Sequence, residues 1–312
     1  MDGLAANACP VCGAHGVAVG AHQRWHRYHC STCALEFWSP RQLDPAFYAH
    51  AQHDTYARRH LGERFLRDRH RIFLSRALPG DLLDVGCGEG AFLVEAMSRG
   101  FRGHGIELDA RSAEVARERG VTVDTGALMN EAGLPPAALG PFDVVTAFEV
   151  LEHQAAPMAF LAAARSVLRP GGQLCGSVPN RDRCLATWAR RRDGGDLPPH
   201  HFLWFSQAAL RETLHRAGFC DITILPIVEA DTLQLAGYLE NALLGGVTAR
   251  WKTRARTAAS SPTQARRGLA ARALGWAKLA KNVPLVPAAL FIRHVVPDAA
   301  RSLYFEARSS FV

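Results

Sequence analysis

Four cysteines near the start of the sequence, Cys9, Cys12, Cys30 and Cys33, form two C-x2-C pairs with 17 residues between them. One tight turn aims two thiolates at a common point, and two such turns close a tetrahedron that suits zinc. Four protein ligands leave no open position for a reacting molecule, so the expected ion is structural and folds a segment of about 35 residues. His26 or His29 could replace one sulfur, but the all-cysteine set is the simpler reading. A second cluster is Glu149, Glu152 and His153, spaced three and four apart, which shares one face of a helical turn. Two carboxylates and an imidazole suit a divalent cation; without one they cap a helix and leave an imidazole near the ordinary pKa of ~6.5 as a base. His200 and His201, in Pro198-Pro-His-His-Phe-Leu-Trp204, are further candidates for that base.

These groups need a scaffold, and the third pattern supplies it. Leu82-Leu-Asp-Val-Gly-Cys-Gly-Glu-Gly90 is a short apolar run that ends in glycines at 86, 88 and 90. A helical pattern follows, with Phe92, Leu93, Ala96 and Met97 on one face. A strand, a glycine turn and a helix let backbone N–H groups approach a ligand closely. A second apolar run ends at Glu107, 23 residues after Asp84, where a carboxylate can accept two hydrogen bonds from a ribose diol. Cys87 has no basic neighbour to make it a thiolate and reads as a small packed residue. Alternation continues with strands expected at Val121–Asp124, Phe142–Phe148, Gln173–Val178, Ile222–Val228 and Ser302–Ala307.

A nicotinamide-binding turn would read G-x-G-x-x-G, with no acid two residues before the first glycine. Asp84-Val-Gly-Cys-Gly-Glu-Gly90 instead resembles the first motif of class I S-adenosylmethionine-dependent methyltransferases. Phe142-Asp-Val-Val-Thr-Ala-Phe148 resembles that family's fourth strand, Leu168-Arg-Pro-Gly-Gly-Gln-Leu174 its turn into the fifth, and Leu214-His-Arg-Ala-Gly-Phe219 its turn into the sixth. The resemblance covers roughly residues 70–230 and the last strand, and implies an α/β fold with a Rossmann-like seven-stranded sheet. It implies that Asp84, Gly86, Gly88 and Gly90 hold the methionine part of the cofactor and Glu107 the ribose. Leu108, Leu128 and Phe148 would flank the rest. Many members place an Asp after the glycine that follows strand three; here Ala127 follows Gly126, so the adenine amine must find another partner. The E-x-x-E-H run resembles ubiquinone-biosynthesis O-methyltransferases and small-RNA 2′-O-methyltransferases, where it implies magnesium or manganese beside the acceptor hydroxyl. L-E-H is also widespread in members that need no metal.

The 312 residues are 48% hydrophobic and 21% charged, enough to bury a substantial core and too apolar for disorder throughout. The net charge of +7 is concentrated: between Tyr238 and Ala299 ten basic residues face only Glu240 and Asp298. Ala265–Lys281 reads as a basic amphipathic helix, and apolar Val283–Val296, interrupted by Pro284, Pro287, Arg293 and His294, is too short to span a bilayer. Residues 250–296 therefore read as a peripheral contact with anionic lipid, a solvated helix or a dimer contact. Few aromatics and no RNA-reading motif argue against a nucleic-acid partner. No signal peptide is evident, so a cytoplasmic, membrane-peripheral protein is expected.

The domain plan is a zinc-binding segment at 1–38 and a helical connector or lid at 39–75 with Tyr48, Tyr56 and His60. A cofactor-binding core follows at 76–230, then a basic helical insertion at 231–300 and the last strand at 301–312. The expected function is methyl transfer from S-adenosylmethionine to a hydroxyl of a sugar, a lipid-linked glycan or a quinone-like molecule, with Glu149, Glu152, His153, His200 and His201 as catalytic candidates. Alternatives are a metal-dependent RNA 2′-O-methyltransferase and a non-catalytic zinc scaffold.

Overall fold

The computed structural model describes residues 6–42, 66–129, 139–187, 190, 196–228, 285–295 and 300–310. Tyr48, Tyr56 and His60 of the connector and the helix expected at Ala265–Lys281 lie outside them. The chain divides into two units: one holds residues 1–181, 198–227 and 302–312, the other 182–197 and 228–301.

The first unit contains two sheets. In chain order its elements begin with β1 (Val17–His22), β2 (Trp25–His29), β3 (Glu36–Ser39), α1 (Asp68–Arg76), β4 (Asp81–Val85), α2 (Ala91–Ser98), β5 (Arg102–Glu107), α3 (Ala110–Glu118) and β6 (Thr122–Thr125). They continue with β7 (Phe142–Phe148), a 3-10 turn at Leu151–His153, α4 (Pro157–Ser166), β8 (Leu168–Pro179), β9 (Leu203–Trp204), α5 (Gln207–Arg216) and β10 (Phe219–Ile227), and close with β11 (Ser302–Ser309). The large sheet runs β10-β11-β8-β7-β4-β5-β6. Neighbours from β8 to β6 are parallel, and β11 lies antiparallel between β8 and β10. The order reverses at β4 and β7, the place beyond the carboxyl ends of the strands where open α/β sheets bind ligands.

Local chemistry sets these elements. α2 starts at Gly90, whose φ of 76° is left-handed, and buries Phe92, Leu93 and Ala96. A Cβ at Gly90 would lie 3.0 Å from the Ala116 Cβ, so glycine also allows α2 and α3 to approach. Asp109 caps α3 by accepting from the Ser112 N–H, and Ser206 caps α5 by accepting from the Ala209 N–H. Phe73, Leu82, Leu93, Val144, Cys175 and Tyr304 lie in one buried apolar cluster. The run Leu168–Gly172, expected as a turn, forms the start of β8: Phe142 pairs with Leu168 and Val144 with Gln173, so the glycines form a bulge within the strand.

The small sheet is antiparallel in the order β1-β2-β3-β9. Its fourth strand comes from the cofactor domain: Glu36 pairs with Trp204 and Phe37 with Leu203. In the second unit, Arg183 and Arg190 both donate to Asp196 Oδ2 at 2.7 Å. α6 (Val286–Val295) exposes Leu290 and Phe291, the latter 61% accessible. Among the described residues no helix is long and apolar enough to cross a membrane.

Candidate active site

The glycine turn leaves β4 with Gly86 at φ 77°, and a Cβ there would meet Val150 Cγ2 at 2.9 Å. The Gly86 and Cys87 N–H groups donate to Ile106 O, and the Gly88 N–H donates to Glu107 Oε2 at 2.8 Å. Glu107 Oε1 accepts from the Asp109 N–H at 2.9 Å. One oxygen of Glu107 thus braces the turn and the other braces the start of α3. A carboxylate oxygen accepts more than one hydrogen bond, so both keep capacity for a diol. Burial pushes Glu107 up, opposed by these N–H donors.

Asp84 is fully enclosed, and its Oδ1 accepts from Thr146 Oγ at 2.7 Å. Burial pushes its carboxyl up to about 7, against the Thr146 hydrogen bond. A buried acid so placed is completed by a cation, which would restore its charged form. Arg69, on α1, sits 3.6 Å from Glu149 and acts electrostatically on Asp84, while its buried Nε has no hydrogen-bond partner. The end of β4 therefore sets a buried acid within the electrostatic reach of a guanidinium. Leu108 is half exposed, whereas Leu128 and Phe148 are buried. Cys87 is a packed thiol pushed up by burial.

Beyond β7 the expected acid–imidazole cluster divides. Glu149 has a left-handed φ of 57°, its Oε1 accepts from Ser177 Oγ at 2.7 Å, and its N–H donates to Ser177 O. That turns Glu149 toward Arg69. Glu152, His153 and His201 instead each offer a ligand atom within 4.8 Å of the others. His153 Nδ1 faces the carbonyl of His200 at 2.6 Å, so Nδ1 carries the proton and Nε2 presents its lone pair. Nε2 lies 3.8 Å from the enclosed Glu152 Oε1, and the His153 and His201 rings are 4.7 Å apart. Burial first, then neighbouring His201, pulls His153 down to about 3. His153 is therefore neutral and a poor base, unlike the ordinary imidazole expected from the sequence. His200 enters this group through its backbone carbonyl.

The four N-terminal thiols also converge. Cys9 and Cys33 sulfurs are 3.4 Å apart, as are those of Cys12 and Cys30, and all four lie within 4.8 Å. Tetrahedral zinc with Zn–S near 2.3 Å requires edges of about 3.8 Å, so this donor set fits that ion. Cys9 is pulled down to about 5 by its contact with Cys33, which the same contact pushes up.

Arg69 and Thr146 escaped the sequence reading. Arg69 lies in Arg67-Asp-Arg69-His-Arg71, where nothing local separates it from its neighbours. Thr146 is one residue of an otherwise apolar strand, and its partner is 62 positions away.

Residues 56–224 match the family model described as a methyltransferase domain. A ubiquinone biosynthesis O-methyltransferase of Cereibacter sphaeroides is 36% identical over 159 residues, covering 48% of this chain and 61% of the relative. One of the same name from Paraburkholderia xenovorans is 39% identical over 105 residues, 32% of this chain and 45% of the relative. The chain thus spans under two thirds of the length of these relatives. Phosphoethanolamine N-methyltransferase 2 of Haemonchus contortus, solved with S-adenosyl-L-methionine, shares the fold at TM-score 0.53 and 16% identity, over 88% of this chain and 62% of that one. A SAM-dependent methyltransferase from Archaeoglobus fulgidus does so at TM-score 0.52 and 14% identity, over 82% and 99%. With a family match over more than half its length and a seven-stranded sheet whose order reverses at β4 and β7, the chain belongs to the methyltransferase-domain family, of the S-adenosylmethionine-dependent class.

Proposed function

We propose that the chain methylates a hydroxyl oxygen of a small, quinone-like acceptor. The observation that carries this reading is the Glu152–His153–His201 group at the end of β7, a two-imidazole, one-carboxylate donor set of the kind that holds a divalent ion. Similarity to the ubiquinone O-methyltransferases, at 36% identity over 48% of the chain, supports the acceptor class.

S-adenosylmethionine supplies a methyl carbon already activated on sulfonium sulfur, so the protein's task is alignment and exclusion of water. Glu107 would hold the ribose hydroxyls while its other hydrogen bonds keep the glycine turn in place. Asp84 would meet the methionine ammonium, and Arg69, with its orphaned Nε, the methionine carboxylate. Val150 closes over Gly86. On the acceptor side, Glu152, the Nε2 of His153 and His201 would hold magnesium or manganese. Such an ion supplies Lewis acidity that lowers the pKa of an acceptor hydroxyl. Glu149, held by Ser177 and Arg69, serves the cofactor side in this scheme.

Cys9, Cys12, Cys30 and Cys33 would hold one structural zinc. The domain plan proposed is the one expected from the sequence, with residues 76–230 as the cofactor-binding core; the division into two units instead groups residues 1–181, 198–227 and 302–312. The ten basic residues near the C-terminus, with exposed Leu290 and Phe291, support contact with an anionic lipid surface and a cytoplasmic, membrane-peripheral setting. A sugar or lipid-linked glycan acceptor is the second reading, favoured by the same basic stretch.

Methyl-labelled cofactor incubated with a lysate tests the proposal. Label in the solvent-extractable fraction, reduced by a chelator too mild to strip the four-cysteine zinc and lost in His201→Ala, is expected. Label confined to nucleic acid would replace the acceptor class with RNA. No transfer, together with no binding of S-adenosylhomocysteine, would leave only a scaffold.

A further inference from the structure

The four-cysteine segment does not complete its own sheet. Its fourth strand, β9, begins two residues after His201, with Phe202 between them. The second knuckle closes when the Cys30 N–H donates to Leu35 O at 2.9 Å, and β3 begins at the next residue. Along β3, Glu36 and Phe37 pair with Trp204 and Leu203, and the Trp38 N–H donates to Phe202 O at 2.9 Å. The Phe202 N–H in turn donates to Glu152 O at 2.9 Å. A second strut runs in parallel: Arg181, two residues past the end of β8, donates from Nη1 to Ala34 O at 2.6 Å, inside the knuckle, and from its N–H to Phe205 O at 2.8 Å.

The seam is also packed. Leu35, Phe37, Leu151, Phe202 and Phe205 have no accessible surface. Trp38 meets Trp204 edge-on at 5.4 Å, and the Arg27 guanidinium lies 4.7 Å over the Trp204 ring. A two-residue strand has no internal hydrogen bonds to fix it: β3 holds it along one side, while Glu152 and Arg181 hold the residues at its two ends. β3 in turn belongs to a segment too short to bury a core of its own, whose folding therefore depends on its ion.

We infer that the four-cysteine centre is a positioning element of the acceptor side, with Arg181 as a positioning residue. Metal held at residues 9–33 fixes β3, β3 fixes β9, and β9 sets where His201 and Glu152 stand. This rests on the reading of Glu152, His153 and His201 as the acceptor-side group. It predicts that loss of zinc disables that side while the Asp84–Glu107 pair, on β4 and β5 of the large sheet, keeps its cofactor affinity.

Hydrogen exchange read by mass spectrometry tests it without a known acceptor. Full-length chain is compared zinc-loaded and zinc-stripped, alongside zinc-loaded Arg181→Ala and Arg181→Lys, each titrated with S-adenosylhomocysteine. Zinc removal should speed exchange roughly tenfold or more at residues 30–39, 151–154 and 202–205, with β4 to β7 still protected and affinity changed by less than about twofold. Arg181→Ala, which leaves the cysteines intact, should speed exchange at 202–205, and Arg181→Lys should restore part of the protection. Faster exchange confined to residues 7–39 would overturn the inference by making the ribbon autonomous, and so would an unchanged 202–205 segment in Arg181→Ala. Loss of protection across the large sheet would overturn it by making the metal a global staple. Failure of the zinc-loaded chain to bind S-adenosylhomocysteine would overturn the cofactor reading instead, leaving the exchange pattern to judge the coupling.

Discussion

At Asp84 the site conflicts with stability. The carboxyl ionises near 3.8 when exposed and at about 7 in the folded chain. Below the first value both states hold the proton, and between the two only the folded state does. Stability is therefore lost progressively as pH rises across that window and levels off above it, by at most about 4 kcal/mol. Asp84→Asn removes the titration. Its thermal stability should exceed that of the parent above pH 7 and converge with it near pH 4, while affinity for the cationic cofactor falls. The same charge balance predicts that S-adenosylmethionine binds the parent more tightly as pH rises through 7, with proton release below it, measured by titration calorimetry in buffers of different ionisation enthalpy. Gly86→Ala sets a methyl against Val150 at a left-handed φ, a strain of about 1–2 kcal/mol that should cost roughly tenfold in S-adenosylhomocysteine affinity with the fold retained by circular dichroism. The Asp84–Gly90 turn and Glu107 were legible because their spacing is local. The Glu149–Glu152–His153 grouping assumed a helix, whereas the left-handed Glu149 and a three-residue 3-10 turn aim its members in two directions.

Between elements, the strands were legible and the way they fit together was not. Alternation of apolar runs with helical patterns gave the seven strands of the large sheet, with shifts of a few residues at their ends. Close approach of β7, β8 and β11 is a tertiary fact: a Cβ on Gly176 would run into the Ala147 carbonyl and lie 2.6 Å from the Phe305 ring. Gly176→Ala should destabilise the chain by about 1–3 kcal/mol, read as a lowered midpoint in urea. α1 carries Arg69 to Glu149 because Phe73 inserts among Phe92, Phe101 and Phe148, with ring centroids 5.5 to 6.2 Å apart. Phe73→Ala should cost about 3–5 kcal/mol and weaken cofactor binding as well, since the residue places a helix as well as filling space. β9 left no trace in the sequence: two residues carry no periodicity, and their partners lie far back in the chain.

For the whole molecule, charge is the lever. The basic stretch from Arg250 to Arg293 gives the C-terminal part a sign the rest of the chain lacks, so vesicles with anionic headgroups should retain the protein at low salt and release it as ionic strength rises. Zwitterionic vesicles should not retain it, and Leu290→Ser with Phe291→Ser should weaken retention; co-sedimentation measures both. Fold class was legible at this scale from the ordered motifs, but the grouping of the ribbon with the large sheet in one unit was not, because it depends on pairing across sequence. That pairing has a consequence for biosynthesis. Glu36 leaves the ribosome early, yet its partner Trp204 emerges only after most of the large sheet has been translated. The amino-terminal module must wait, with one strand edge bare, for the ribosome to deliver the segment that closes it.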